Sequence, residues 1–185
     1  MTTYVLLSAG IGRSMKARGA KSLLKFDNMT VLDYQIKTIK ESDPYGEICV
    51  VVGFQADKII KRYVDTNIRF IHNYNYDKTH QCESIKLAIN SISQDNVYII
   101  HGDVIFNHRA LSWRHATHVV ADNNSDKRKM GLCGNGNILA NMAYGLEEKW
   151  GQILFIEHRD FSLARSLINH TKPVVHAMRD LKMHQ

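Results

Sequence analysis

The residues of this chain best suited to chemistry are Ser8-Ala9-Gly10-Ile11-Gly12-Arg13, followed a little later by Lys21. Glycines directly after a strand let the backbone approach a ligand closely and adopt dihedrals closed to other residues. The N–H groups of such a turn can converge on phosphate oxygens. Arg13 and Lys21 add positive charge where a phosphate chain gains negative charge as it reacts. Neither of two common phosphate loops fits. A dinucleotide fingerprint needs glycine where Met15 stands and an acidic residue after the second strand, which ends in Val52-Gly53. A Walker loop needs a Gly-Lys-Ser/Thr that does not follow at the required spacing. Taken alone, the glycine pair reads as a tight turn and Lys21 as an exposed loop lysine.

Asp103 is a second candidate: it follows the apolar run Val97 to Ile100 and Gly102, at the edge of a sheet, where a turn or helix cap is its alternative role. The ten histidines contain no HExxH, and His115 and His118 lack further ligands at zinc spacing. Trp150 stands before a strand, where it either flanks a second substrate or packs in the core.

These residues need elements to hold them. Thr3 to Ser8 reads as a buried strand running into the glycine turn. Thr30 caps a helix with Leu32, Ile36 and Ile39 at helical spacing, and Pro44 and Gly46 stop it. Strands follow at Glu47 to Val52, Ile68 to His72 and Val97 to Ile100, with helices at Lys58 to Tyr63 and Ser84 to Ile92. Strands that alternate with helices and read as continuous apolar runs predict a parallel sheet covered on both faces. The fold expected is a Rossmann-like three-layer α/β/α arrangement with a mixed, mostly parallel sheet. Beyond about residue 117 the pattern becomes more mixed. It gives a strand at Ala116 to Ala121, an Asn135-Gly136 hairpin between strands around Leu132 and Ile138-Leu139, and a strand at Gln152 to Ile156. A helix at Phe161 to Ile168 and a strand at Val174 to Ala177 complete it.

The 185 residues suffice for one domain with a substantial core, and the apolar runs are too short to span a bilayer. The N-terminus lacks the basic stretch of a signal peptide. Three cysteines, odd in number and without a CxxC pair, suit reduced thiols better than a disulfide framework. A cytoplasmic protein is therefore expected. The net charge of +6 fits either a polyanion partner or phosphorylated small molecules. No basic recognition helix or aromatic-studded basic strand favours nucleic acid.

The glycine segment, with Ala20-Lys21-Ser22-Leu23, resembles the signature Leu-Ala-Ala-Gly-x-Gly-Ser/Thr-Arg, then Pro-Lys-x-Leu, of the nucleotidyltransferases that make nucleotide sugars and related activated alcohols. Thr30-Val31-Leu32-Asp33-Tyr34, Val51-Val52-Gly53-Phe54, Asn73-Tyr74-Asn75-Tyr76 and Gly102-Asp103-Val104 continue the resemblance in order, over about the first 107 residues. Two departures stand out: Arg13-Ser14 replaces Ser/Thr-Arg, and Ala20 replaces the proline.

The resemblance implies transfer of an NMP group from a nucleoside triphosphate to a phosphorylated sugar or alcohol, with release of pyrophosphate. It makes Lys21 and Arg13 the catalytic cations and the loop from Ser8 through Ala9, Gly10 and Gly12 the phosphate cradle. Gln81 and Ser84 become base contacts, although Ser84 is equally a helix cap. Magnesium is the implied cofactor, with Asp103 its ligand and Asp180 a helper. Residues 1–107 would then bind the nucleotide and 108–185 the acceptor, and a homo-oligomer stays open. Two other readings compete. One is a glycosyltransferase of related fold, against which the missing Asp-x-Asp at Asp103-Val104-Ile105 counts. The other is a nucleotide-binding protein without turnover.

Overall fold

The computed structural model describes residues 1–12, 19–122, 126, 129–135 and 138–170. In chain order its strands are Thr2–Ser8 (β1), Lys25–Phe26 (β2), Met29–Thr30 (β3), Glu47–Val52 (β4), Ile68–His72 (β5), Asn96–His101 (β6), His118–Asp122 (β7), Met130–Asn135 (β8), Ile138–Tyr144 (β9) and Lys149–Ile156 (β10). Its α-helices are Val31–Ser42 (α1), Ala56–Arg62 (α2), Gln81–Ser91 (α3) and Phe161–His170 (α4).

The period-two alternation of the strands builds two cores. Val5 and Leu7 of β1, Cys49 and Val51 of β4, and Val97 and Ile99 of β6 point to one face, where α3 and α4 cover them with Ile85, Ala88, Ile89, Phe161, Ala164 and Ile168. Tyr4 and Leu6, Val50 and Val52, and Tyr98 and Ile100 point to the other, under Leu32, Ile36 and Ile39 of α1 and Ile59 of α2. A sheet buried on both faces needs strands that are apolar throughout, which is how these segments read. The three-layer α/β/α expectation holds.

Strand order is β5-β4-β1-β6-β10-β8-β9, with β7 also on β10. The first four strands are parallel; β10 joins β6 antiparallel, and β7, β8 and β9 extend the antiparallel part. The chain therefore steps from β1 outward through β4 to β5, then returns to the other side of β1 as β6. That reversal opens a crevice beyond the carboxyl ends of β1 and β6, the place where such sheets bind ligands.

Most boundaries fall where the sequence puts them, and Thr30 forms a complete capping box with Asp33 at the start of α1. One is corrected. Helix α3 begins at Gln81, three residues before the expected start, with His80 as its N-cap residue. Ser84 is thus no cap: it lies buried inside the helix, its Oγ accepting from Asn73 Nδ2 at 3.0 Å. The Asn73 side chain also accepts from the Asn75 N–H, so this asparagine fixes both the turn after β5 and the first turn of α3. Strands β8 and β9 pair as the hairpin expects, Asn135 opposite Ile138, and Gly136 itself lies outside the described residues, as does Val174 to Ala177. Among the described residues no helix is long and apolar enough to cross a membrane.

Candidate active site

The crevice at the β1/β6 switch is a pocket lined by Leu7, Ser8, Gly10, Gly12, Lys21, Ser22, Gln81, Gly102 and Asp103, with about 400 Å³ of empty space that includes open solvent. Six of the residues singled out from sequence meet here: Ser8, Gly10, Gly12, Lys21, Gln81 and Asp103. Ala9 does not line it. Its side chain packs into the core and its carbonyl accepts from Phe54 N–H at 2.9 Å, which ties the end of β1 to the end of β4. Ser84 is likewise withdrawn into its bond with Asn73. Arg13 and Asp180 lie outside the described residues.

Lys21 opens a 3₁₀ turn, Lys21–Leu23, and its stem crosses Gly12. A Cβ on Gly12 would stand 2.8 Å from Lys21 Cγ, and Gly12 has φ +62°. Both facts require glycine there. The Lys21 ammonium then reaches Asp103 Oδ2 at 2.7 Å, each side chain about one-third exposed.

Asp103 is held from two sides. The Gly102 N–H donates to Leu7 O at 3.0 Å, an approach so close that a Cβ on Gly102 would fall 2.3 Å from that oxygen. From the α1 side, buried Gln35 donates through Nε2 to His101 O at 2.8 Å and to Val104 O at 2.7 Å, the carbonyls flanking Gly102-Asp103. His101 is itself buried, and burial pushes its imidazole pKa down, against the charge of Asp103 and the hydrogen bond it donates to the Gln152 side chain. Gln152 sits at a bulge of β10 with φ 63°. Beside it Trp150 meets the His101 ring edge-on at 5.1 Å and donates to Ile153 O at 3.2 Å, so its packing role is the observed one.

Two buried hydroxyls in the lining, Ser8 Oγ and Ser22 Oγ, have no hydrogen-bond partner among the described residues. A buried polar group without a partner costs about 1–3 kcal/mol, so this pair marks a place where a polar ligand restores what folding removes. Asp160, which follows β10, is at the opposite edge: it accepts from Thr117 Oγ1, and the neighbouring His158 N–H bonds Asn96 Oδ1 at the start of β6.

Among the described residues Asp103 is the sole carboxylate of the pocket lining, and no group of three potential metal ligands occurs. That donor set fits magnesium, which is commonly held by one or two carboxylates and completed by substrate phosphates and water. It does not fit a closed all-protein site. Sequence reasoning missed Gln35, Ser22, His101 and Gln152. Ser22 stands within a quoted motif without being weighed, Gln35 directly follows one, and the last two carry no local pattern to find.

Over residues 4–171 the chain matches the family model of the MobA-like NTP transferase domain. It is 28% identical over 160 residues to the bifunctional protein GlmU of Thermosipho melanesiensis, a match covering 84% of this chain and 32% of that protein. The chain spans less than a third of the length of the curated relatives it matches. Among solved structures it is similar to the CTP:phosphocholine cytidylyltransferase of Streptococcus pneumoniae, with TM-score 0.73, 17% identity, and coverage of 91% of this chain and 76% of that one. UDP-glucose pyrophosphorylase in complex with UDP-glucose gives TM-score 0.78 at 11% identity, covering 97% and 86% of the two chains. At these identities the structural likeness speaks for the fold.

Proposed function

The chain belongs to the MobA-like NTP transferase family, and from that premise we propose that it moves a nucleotidyl group from a nucleoside triphosphate to a phosphorylated sugar or alcohol. An oxygen of the acceptor phosphate attacks the α-phosphorus in line. The new P–O bond forms as the bond to the α,β-bridging oxygen breaks, and pyrophosphate departs with that electron pair. Such chemistry asks the protein for positioning and charge neutralisation more than for covalent help.

Lys21 places its ammonium against the α-phosphate, and the backbone from Gly10 through Gly12, with Arg13, receives the β- and γ-phosphates. Ser8 and Ser22 offer their unpartnered hydroxyls to the same phosphate chain. Gln81, on the first turn of α3, faces the base. Asp103 would hold magnesium, which supplies charge neutralisation between donor and acceptor phosphates. Residues 1–107 carry the nucleotide in this reading, and 108–185 the acceptor.

The observation that carries the proposal is the convergence of Lys21, Asp103 and two partnerless hydroxyls at the β1/β6 switch. A pyrophosphate-release assay with magnesium tests it, crossing the four common triphosphates with phosphorylated sugars, phosphocholine and polyol phosphates. Release that depends on one triphosphate and one acceptor class supports it. Tight triphosphate binding with no release across the panel overturns it in favour of a binding protein.

A further inference from the structure

Gln55 is one of three non-glycine residues with positive φ among the described residues, at φ 56° and ψ 34°, and it opens α2. A glutamine in the left-handed region carries a conformational cost that persists only where the surroundings impose it, and such residues gather at working sites. The surroundings here are plain. Gln55 O accepts from the N–H groups of Lys58 and Ile59, and the preceding Phe54 N–H is bound to Ala9 O at the end of β1. The backbone is thereby pinned, and the side chain is aimed away from its own helix, across to the loop that leads into Lys21.

There Gln55 Oε1 accepts from the Ala20 N–H at 3.3 Å. Ala20 is 1% exposed; its φ of −64° is the value a proline ring would impose, and its ψ of 131° is one a proline adopts readily. Its carbonyl accepts from Leu23 N–H at 3.0 Å, and Lys21 O accepts from Leu24 N–H at 3.1 Å, closing the short turn from which the Lys21 side chain leaves toward Asp103. Ala20 is the position at which the nucleotidyltransferase pattern carries proline, a residue with no N–H to donate. The glutamine bond fixes through space the dihedral that a pyrrolidine ring would fix through the chain.

We infer that Gln55 is a positioning residue for Lys21: its left-handed backbone aims a side chain that holds Ala20, and so sets the direction in which the Lys21 ammonium enters the phosphate pocket. The inference rests on Lys21 acting on the phosphates, as proposed above. It predicts that a proline at residue 20 makes Gln55 dispensable. In the native background the same proline is a poor exchange, because its Cδ would occupy the space in which the Ala20 N–H faces Gln55 Oε1.

The test compares the full chain with Gln55→Gly, Ala20→Pro and the double variant. Three readouts are used: thermal midpoint, hydrogen exchange of the Leu23 and Leu24 amides, and pyrophosphate release. Gln55→Gly removes both the side chain and the left-handed strain, so its midpoint holds or rises. The Leu23 and Leu24 amides exchange faster, and kcat falls by about ten- to a hundredfold, the scale of a small misplacement at a reacting centre. The double variant regains slow exchange and recovers kcat to within about threefold of the native chain, a residue of the size expected when one geometric constraint replaces another. A purely structural role predicts the reverse pairing: midpoint and kcat fall together in Gln55→Gly, and proline restores neither. That result, or unchanged exchange and kcat in Gln55→Gly, overturns the inference. Should no triphosphate give pyrophosphate even with the native chain, the functional reading fails by itself, and the exchange readout still decides whether Gln55 holds the turn.

Discussion

The Lys21 ammonium and the Asp103 carboxylate, 82 residues apart in the chain, meet at 2.7 Å across the mouth of the β1/β6 crevice. Each is about one-third exposed, and a pair so open to water is worth at most about 1 kcal/mol. A weak pair of this kind leaves both charges open to exchange for stronger partners, which under the proposed function are a triphosphate for the lysine and a divalent cation for the carboxylate.

Lys21→Ala is expected to lower pyrophosphate release by at least about a hundredfold, the scale of losing one preorganised charge contact in the transition state. Triphosphate binding should weaken less, because the loop N–H groups contribute to it independently. Steady-state kinetics beside equilibrium titration separates the two, and near-native turnover would remove Lys21 from the mechanism.

Asp103→Ala should abolish magnesium-dependent turnover. The same variant releases Lys21 from its partner, so metal-free triphosphate binding should hold or tighten in it. Asp180→Ala should keep part of the activity. Metal activation curves and calorimetric titration without metal measure both effects, and full magnesium-dependent turnover in Asp103→Ala would contradict the assigned role.

The parts of this architecture legible from sequence are those set by local chemistry. Thr30 caps α1 as expected, with Asp33 completing a capping box, and β4 and β5 begin and end where the sequence pattern puts them: β4 is apolar and buried after Glu47, while β5, at the edge of the sheet, carries the exposed Arg69. Glycine spacing marks the turn after β1, where Gly12 has positive φ and passes against the Lys21 stem. What the sequence hides depends on partners far along the chain. Ser84 looks like a cap until Asn73, eleven residues earlier, claims its hydroxyl. Gln35 looks like any polar residue of an amphipathic helix, yet it is buried because two carbonyls 66 and 69 residues away need its amide.

Gln35→Leu tests that clamp. The leucine fills similar space but leaves the His101 and Val104 carbonyls without their donor, at a cost of about 1–3 kcal/mol for each buried group that water cannot reach. The loss is partly offset, since Gln35 Oε1 is itself buried without a partner. Denaturant unfolding should show a drop in stability. The loosened turn should also raise the magnesium concentration needed for half-activation while leaving the triphosphate KM nearly unchanged. A stability loss with an unaltered magnesium requirement would restrict Gln35 to a structural part.

Asp33, in the first turn of α1 and two residues before Gln35, carries a pH dependence that can be read separately from activity. Asp33 Oδ2 accepts from the Thr30 N–H at 2.7 Å and from Arg62 Nη2 at 2.6 Å, and Oδ1 accepts from Tyr63 Oη at 2.6 Å. Burial by itself would raise the Asp33 pKa, but the hydrogen bonds from Arg62, Tyr63 and Thr30 outweigh it and hold the carboxyl well below the usual carboxylate range. A carboxyl whose pKa is lower folded than unfolded stabilises the fold at every pH above the unfolded value, about 3.9. That contribution is lost as the pH falls below this value toward the folded one. Asp33→Asn should therefore melt lower than the native chain at pH 7, by several degrees if about 1 kcal/mol of cap and ion-pair stabilisation is lost. The gap should stay constant down to about pH 5 and then narrow steadily below about pH 4, as the native carboxylate takes up its proton. Thermal unfolding of both proteins at a series of pH values measures it. A gap that is the same at pH 3 as at pH 7 would mean that the Asp33 charge contributes nothing to holding the first turn of α1.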